Sequence, residues 1–206
     1  MRVIAGSAGG IQLEVPKQGV RPTMDRVKAA IFSSLADRVI EARVLDLFAG
    51  TGALGIEALS RGAASVLFVE QDRQSVRTIE KNLARTKMQG RTRQEDVFEF
   101  LAHPPAADRF HIILADPPYE QTRTGERYTE KLLTNESLAG LLEPDGVFVL
   151  EKRPSERLPE ASLWEIARRK TYGATEVLFL CVASPARADP KSEIPARNAS
   201  PSDAGG

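Results

Sequence analysis

The chain has 206 residues, 42% of them apolar and 27% charged, with 28 basic and 28 acidic side chains and a formal net charge of zero. That length suits one well-packed α/β domain, and the charge balance weighs against holding nucleic acid by bulk electrostatics while leaving room for a local basic surface. One cysteine, Cys181, excludes an internal disulfide framework. No run is apolar enough to span a bilayer and the N-terminus has no signal-peptide core, so cytoplasmic residence is the default expectation.

Residues 1–22 read as an N-terminal extension in which RVIA and IQLEVP form a small hairpin around Gly9 and Gly10. Thr23 follows Pro22 as an N-cap, and Val27, Ala30, Ile31, Ser34 and Leu35 recur at helical spacing up to Ile40. Arg21, Arg26 and Lys28 cluster at this helix start around Asp25. They are candidates for phosphate contact, against the alternative of a solvated helix start.

From Arg43 the pattern becomes strand–helix alternation. RVLDLF is an apolar strand ending in a glycine turn, followed by a helix from Ala53 to Arg61 closed by Gly62. SVLFVEQD is the next strand, and Arg73 to Lys87 a helix with Val76, Ile79 and Leu83 on its apolar face. A short strand around Thr92 leads to Asp96, a helix from Val97 to Leu101, and the apolar strand FHIILA. Thr129 to Leu142 reads as one helix, GVFVLEKR as a strand, and Trp164–Thr171 with Thr175–Val182 as a final antiparallel pair. Near-continuous apolar strands separated by amphipathic helices predict an α/β fold, a mostly parallel sheet covered on both faces. The core domain is expected over 23–184, and the Pro-, Ala- and Ser-rich stretch 185–206 as a disordered tail.

Asp46 stands in the first core strand, and Gly50, Gly52 and Gly55 form G-x-G-x-x-G behind it. Such a turn brings backbone close to a ligand and leaves helix-start N–H groups free. Glu70 ends the next strand, where its carboxylate can accept from two ribose hydroxyls. A nicotinamide or flavin dinucleotide fits the glycines alone. Asp46 ahead of the turn instead disfavours a pyrophosphate and suits the cationic methionine end of S-adenosylmethionine. Asp96 can accept from an adenine amine with Val97 packed on the ring, or it can simply cap the helix behind it.

Asp116-Pro117-Pro118-Tyr119 follows the fourth strand, so it should face the same crevice. The two prolines stiffen the exit and remove N–H donors. The Asp116 carboxylate and the Pro117 carbonyl can then accept from an exocyclic amine, while Tyr119 stacks on a planar base. An aryl amine is a poor nucleophile because its lone pair is delocalised. Acceptors aimed at its hydrogens favour the pyramidal, more nucleophilic form, so catalysis needs positioning and electrostatic help rather than a metal. His103 and His111 read as structural, and no Cys/His/carboxylate spacing suggests zinc.

Over Arg2 to Val182 the sequence resembles the bacterial methyltransferases that modify the N2 amine of a 16S ribosomal RNA guanine, numbered 966 in the usual small-subunit numbering. The resemblance rests on MRVIAG, VRPTMDRVKAAIFSSL, VLDLFAGTGALGIEALSRGAASVLFVEQD and ILADPPYE. It implies a Rossmann-like class I fold with a seven-stranded sheet, use of S-adenosyl-L-methionine, and action in the cytoplasm as a monomer on small-subunit assembly particles. By match it implies that Asp46, Phe48, Gly50 and Gly52 line the methionine side of the cofactor, that Glu70 holds the ribose, and that Asp96 and Val97 meet the adenine. Asp116, Pro117, Pro118 and Tyr119 would hold the guanine, and Thr23, with Arg21 and Arg26 near it, would close over both ligands. Arg2, Arg21, Arg26 and Lys28 are the expected RNA contacts. The family's basic W-R-G-R-K-L arm is replaced here by the neutral Ala8-Gly9-Gly10-Ile11-Gln12-Leu13. Another acceptor amine, an oxidoreductase on the glycine turn, or an assembly factor without turnover are the competing readings.

Overall fold

The computed structural model describes residues 1–15, 23–105, 108–118, 127–159 and 163–183. Seven strands form one sheet in the order β3-β2-β1-β4-β5-β7-β6. They are β1 (Arg43–Leu47), β2 (Ser65–Glu70), β3 (Arg91–Gln94), β4 (Phe110–Ala115), β5 (Leu142–Lys152), β6 (Trp164–Tyr172) and β7 (Thr175–Val182). β1 to β5 pair in parallel, and β7 runs antiparallel to both β5 and β6. The mostly parallel sheet with an antiparallel end pair is the one the apolar strands predict.

β1, β2, β4, β5 and β7 bury both faces over most of their length, which is why alternation is absent from their sequences, while the edge strands β3 and β6 are largely exposed. Val44, Phe68, Leu114 and Val149 point to one side, under α1 (Thr23–Leu35), α2 (Ala53–Ser60) and α3 (Arg73–Thr86). Leu45, Val69, Ile113 and Leu150 point to the other, under α4 (Val97–Ala102), α5 (Tyr128–Leu133) and α6 (Glu136–Gly140). Asp46, Glu70, Asp116 and Glu151 continue the first of these sets by the period of two, so all four project to the α1–α3 side.

Three elements differ from the sequence expectation. The first helix stops at Leu35 and tightens into a 3-10 turn, Ala36–Val39, after Ala36 takes φ +47°. The helix expected over Thr129–Leu142 is two helices, because the Asn135 side chain accepts from the Leu138 N–H at 2.8 Å and caps a new start. β5 begins at Leu142, ahead of the PDG turn, which rides within the strand as an irregularity in its pairing with β4.

The N-terminal segment folds back on itself, with Arg2 bridged antiparallel to Gln12 and the Val3 N–H donating to Ile11 O at 3.0 Å. It is fastened to α2 by Glu57, whose residue is fully buried. The Glu57 carboxylate accepts from the Ile4 and Ala5 N–H groups at 2.7 and 3.1 Å. It pairs with Lys28 at 3.3 Å and Arg61 at 2.7 Å. Burial lowers the Lys28 pKa, and Glu57 works against that fall. A second fastening is Asn82 on α3, also fully buried. Its Oδ1 accepts from the Glu14 N–H at 2.7 Å, while its Nδ2 donates to Glu14 O and Thr51 O, each at 3.0 Å.

Removing the Glu57 charge strands Lys28 in the core. Glu57→Ala should therefore cost about 3–5 kcal/mol, read as a fall in the urea unfolding midpoint. A loss below about 1 kcal/mol would show that the pair behaves like a surface contact and that the segment is held elsewhere.

Candidate active site

The C-terminal ends of β1 and β4 lie side by side, Leu47 against Ala115 in register. The chain leaves β1 towards β2 on one side and reaches β4 on the other. This is the switch point where an open α/β sheet forms its crevice.

The turn after β1 is held in left-handed backbone at Phe48 (φ +56°), Gly50 (+55°) and Gly52 (+76°). Glycine adopts that region without strain; Phe48 does not, and strain of this kind persists where the surroundings over-determine it. The surroundings are visible. Phe48 packs edge-on to Phe98 and Tyr128, with centroids 6.1 and 5.5 Å away, and those two rings stack on each other at 6.0 Å. The Asn82 amide takes the Thr51 carbonyl inside the turn. Gly55 serves packing: a Cβ there would lie 2.2 Å from the Phe68 ring.

Glu70 braces the same turn. Its two oxygens accept from the Gly50 N–H and the Asp72 N–H, each at 2.8 Å. A carboxylate offers about four acceptor sites, so capacity remains for two hydroxyls. Asp46 is buried in β1, and its Oδ2 accepts from the Gly55 N–H in the first turn of α2 at 2.9 Å. Burial pushes its pKa well up, against that hydrogen bond, and Asp116 and Glu70 add to the rise. Asp96 caps α4: its Oδ1 accepts from Phe98 and Glu99 N–H groups at 2.8 and 3.2 Å. The helix-capping reading is thus filled by one oxygen, with Val97 buried behind it.

Asp116 leaves the end of β4 half-buried, followed by buried Pro117 and exposed Pro118. Burial pushes the Asp116 pKa up to about 6. Glu151, one strand further at the end of β5, completes the cluster. The sequence reading did not single it out, and its apolar strand context disguised it. The signal available was position: a carboxylate closing an apolar parallel strand, as Glu70 and Asp116 do.

The predicted RNA contacts divide. Arg2 and Arg26 are exposed. Lys28 is not a phosphate contact: it is 3% exposed, paired with Glu57, and donates to Arg2 O at 2.6 Å. Its place on the apolar side of α1, one residue after Val27, buries it. Thr23 opens α1, with its side chain outside the described residues, as are Arg21, Tyr119 and the 185–206 tail. Among the described residues no group of three His, Cys, Asp or Glu side chains has the arrangement of a metal site, and no helix is long and apolar enough to cross a membrane. His111 is structural, its Nδ1 accepting from the Arg43 N–H at 3.1 Å.

The donor set tests the cofactor. Acceptors line the crevice, and Asp46, Asp116 and Glu151 crowd one another on one face. Such a site repels a pyrophosphate and suits a ligand carrying ammonium, sulfonium and hydroxyl groups.

Comparison with known proteins follows this geometry. The profile of the family described as conserved hypothetical protein 95 matches residues 1–181. The chain is 38% identical over 185 residues to YlbH of Bacillus subtilis, covering 86% of this chain and 96% of that one. It is 36% identical over 176 residues to ribosomal RNA small subunit methyltransferase D of Escherichia coli K12, covering 84% and 85%. The solved structure of Escherichia coli yhhF superposes with a TM-score of 0.72 at 33% identity, over 88% of this chain and 97% of that one. A Thermus thermophilus 16S rRNA N2 G1207 methyltransferase, solved with AdoMet and guanosine, superposes with a TM-score of 0.62 at 27% identity. That match covers 81% of this chain and 44% of the other.

The raised Asp116 pKa has a sign that can be checked. The folded protein holds this proton more tightly than the unfolded chain, whose value is near 3.8. Stability from this group is therefore fullest below about pH 4 and is lost as pH rises to about 6. The loss is at most about 3 kcal/mol. Asp116→Asn should raise the melting temperature at pH 8 by a few degrees, and the gain should vanish at pH 4. An equal gain at both pH values would show that Asp116 does not titrate as its burial requires.

Proposed function

The chain belongs to the conserved hypothetical protein 95 family, and from that membership and the site geometry we propose that it transfers a methyl group from S-adenosyl-L-methionine to the N2 amine of a guanine in 16S ribosomal RNA. The observation that carries the reading is Asp116. It is a carboxylate at a switch-point strand end, followed by Pro-Pro, with no hydrogen bond or ion pair to another described residue. The named function of the Escherichia coli relative supports the small-subunit RNA, and the Thermus neighbour supports AdoMet, guanosine and the N2 position.

S-adenosylmethionine supplies an electrophilic methyl on a sulfonium, so neither a Lewis acid nor a covalent enzyme adduct is needed. The residues of this chain bind and orient. The left-handed turn Phe48–Gly52 presents backbone to the methionine end, and Asp46 beneath it makes the local potential negative. Glu70 accepts from the ribose hydroxyls. Val97 and the Phe98 ring wall the adenine side, with Asp96 at its edge. Asp116 and the Pro117 carbonyl accept from the guanine N2 hydrogens, which localises the nitrogen lone pair and turns it towards the methyl carbon. As the N–C bond forms and the C–S electron pair returns to sulfur, charge develops on nitrogen. Asp116 stabilises that charge and takes the proton.

Exposed Arg2 and Arg26 provide positive charge near α1 for phosphate contact, without the basic arm of the relatives. We place the enzyme in the cytoplasm, where its RNA substrate is assembled. An acceptor amine other than guanine N2 keeps every step above and changes only the base pocket.

Labelled S-adenosylmethionine with undermethylated small subunits should give label in 16S RNA at a guanine, mapped by mass spectrometry. Asp116→Ala should lower turnover by at least about 100-fold with cofactor affinity changed only a few-fold. Wild-type turnover in that variant would remove Asp116 from the chemistry.

Glu70 gives a complementary test. Loss of charge-assisted bonds worth about 1.5–3 kcal/mol in Glu70→Ala should weaken S-adenosylmethionine about 10- to 100-fold. Because Glu70 also braces Gly50 and Asp72, the melting temperature should fall as well. Calorimetry with unchanged affinity would exclude it from the cofactor site.

A further inference from the structure

Among the described residues, three of the four buried acids have a polar partner. Glu57 is held by Lys28 and Arg61. Glu176 pairs with Lys152 at 3.1 Å. Asp46 accepts from Gly55. Glu151 differs: it is 8% exposed, yet it has no hydrogen bond or ion pair to any described residue.

Its place is specific. Ala115 and Leu150 are register partners in β4 and β5, so Asp116 and Glu151 are the next residues of neighbouring parallel strands. Val149, two residues earlier, faces the α1–α3 side with Leu114 and Val44. Glu151 therefore faces the same side as Asp116 and Asp46, and the charges of both act on it. The strand order puts β5 beyond β4, away from the glycine turn of β1. That is the side of Asp116 left for the acceptor base.

A largely buried carboxylate with no partner among the described residues fits a ligand that brings donors. Guanine presents two kinds of donor side by side, the N2 amine and N1–H. Adenine presents its amine beside an N1 that accepts. The two donors of guanine let both neighbouring carboxylates accept in their ionised form, which offsets the burial that disfavours that form, whereas the adenine N1 brings no donor and gives Glu151 no such relief.

We propose that Glu151 is a specificity-determining residue that accepts the N1–H of the target guanine while Asp116 accepts from the N2 amine. This rests on the guanine-N2 reading above and adds the residue that selects the base. Asp116 would serve any amine; Glu151 demands a donor next to it.

The test compares guanine with 2-aminopurine, which keeps the 2-amine but accepts at N1. Small subunits are reconstituted with either base at the nucleotide that the wild-type protein methylates. Wild type should prefer guanine by at least about tenfold in kcat/KM. Glu151→Gln can turn its amide N–H towards N1, so it should lose about 10- to 100-fold on guanine and shift the preference by at least about tenfold towards 2-aminopurine. Glu151→Asp keeps the charge but withdraws it. It should lose rate on guanine without that shift. S-adenosylhomocysteine affinity should hold in both variants, and the melting temperature should not fall in either, Glu151→Gln being if anything more stable because it removes a buried acid; this separates base reading from a fold defect. A base preference in Glu151→Gln equal to that of wild type overturns the inference. So does an equal rate of wild type on the two bases. Failure of wild type to methylate any guanine would instead overturn the function on which the inference rests.

Discussion

The parallel pairing of β1 with β4 puts Asp46 and Asp116 on one face of the sheet, where the chain switches direction and leaves a crevice. Their carboxylates must share a small volume with Glu151, and burial raises all three pKa values. Among the described residues none of the three has a basic partner, and the buried lysine of α1, Lys28, is committed to Glu57. Electrostatic stress at the strand ends is thus the counterpart of a site built for a cationic methyl donor and an amine. The ligands supply the positive charge and the donors that the protein withholds.

Stiffness around the crevice follows from the same arrangement. Glu70 ties the glycine turn to the start of α3, where Asp72 caps by accepting from the Ser75 N–H at 2.7 Å. Asn82 ties it to the N-terminal segment. Phe48 is held in left-handed backbone by two rings from α4 and α5, on the opposite side of the sheet from α1–α3. The turn is therefore braced from both layers, so the donor and acceptor groups are set before a ligand arrives. Pre-organisation of this kind lets positioning carry the catalysis.

The strands, the antiparallel end pair and most of the acids at the strand ends were legible in the sequence because they depend on short-range signals. A buried parallel strand reads as an apolar run, and an acid after such a run marks its exposed end. What was not legible depends on tertiary packing. Lys28 looks like part of a basic cluster until α1 turns it under the N-terminal segment onto Glu57. Asp96 reads equally as a cap and as a ligand contact, and only the packed helix shows that one oxygen is spent on the cap. Glu151 carries the same mark, an acid closing the apolar run Val147–Leu150, but Lys152 and Arg153 directly after it make the strand exit look like an ordinary charged turn. The expected helix over Thr129–Leu142 failed at Asn135, a residue that ends one helix and caps the next. The buried residues before the break, Thr129, Leu132 and Leu133, and those after it, Leu138 and Leu141, fall on different faces of a single continuous helix, so the break leaves its trace in the spacing.

Asn82 has a consequence for how the protein is made. The turn that carries Gly50 and Gly52 is finished by an amide from α3 that also grips the backbone of Glu14, 68 residues earlier in the chain. On the translating ribosome, residues 1–15 can dock on α1 and α2 once those are out, but the Glu14 end has no Asn82 to meet until α3 has followed. At about 5–20 residues per second, that end waits several seconds. The strands β1 and β2 can pair meanwhile, since they are close in sequence. The nascent crevice is then a cofactor turn without its outer brace. Closing it is a long-range event, and it comes when Glu14 meets a helix made much later.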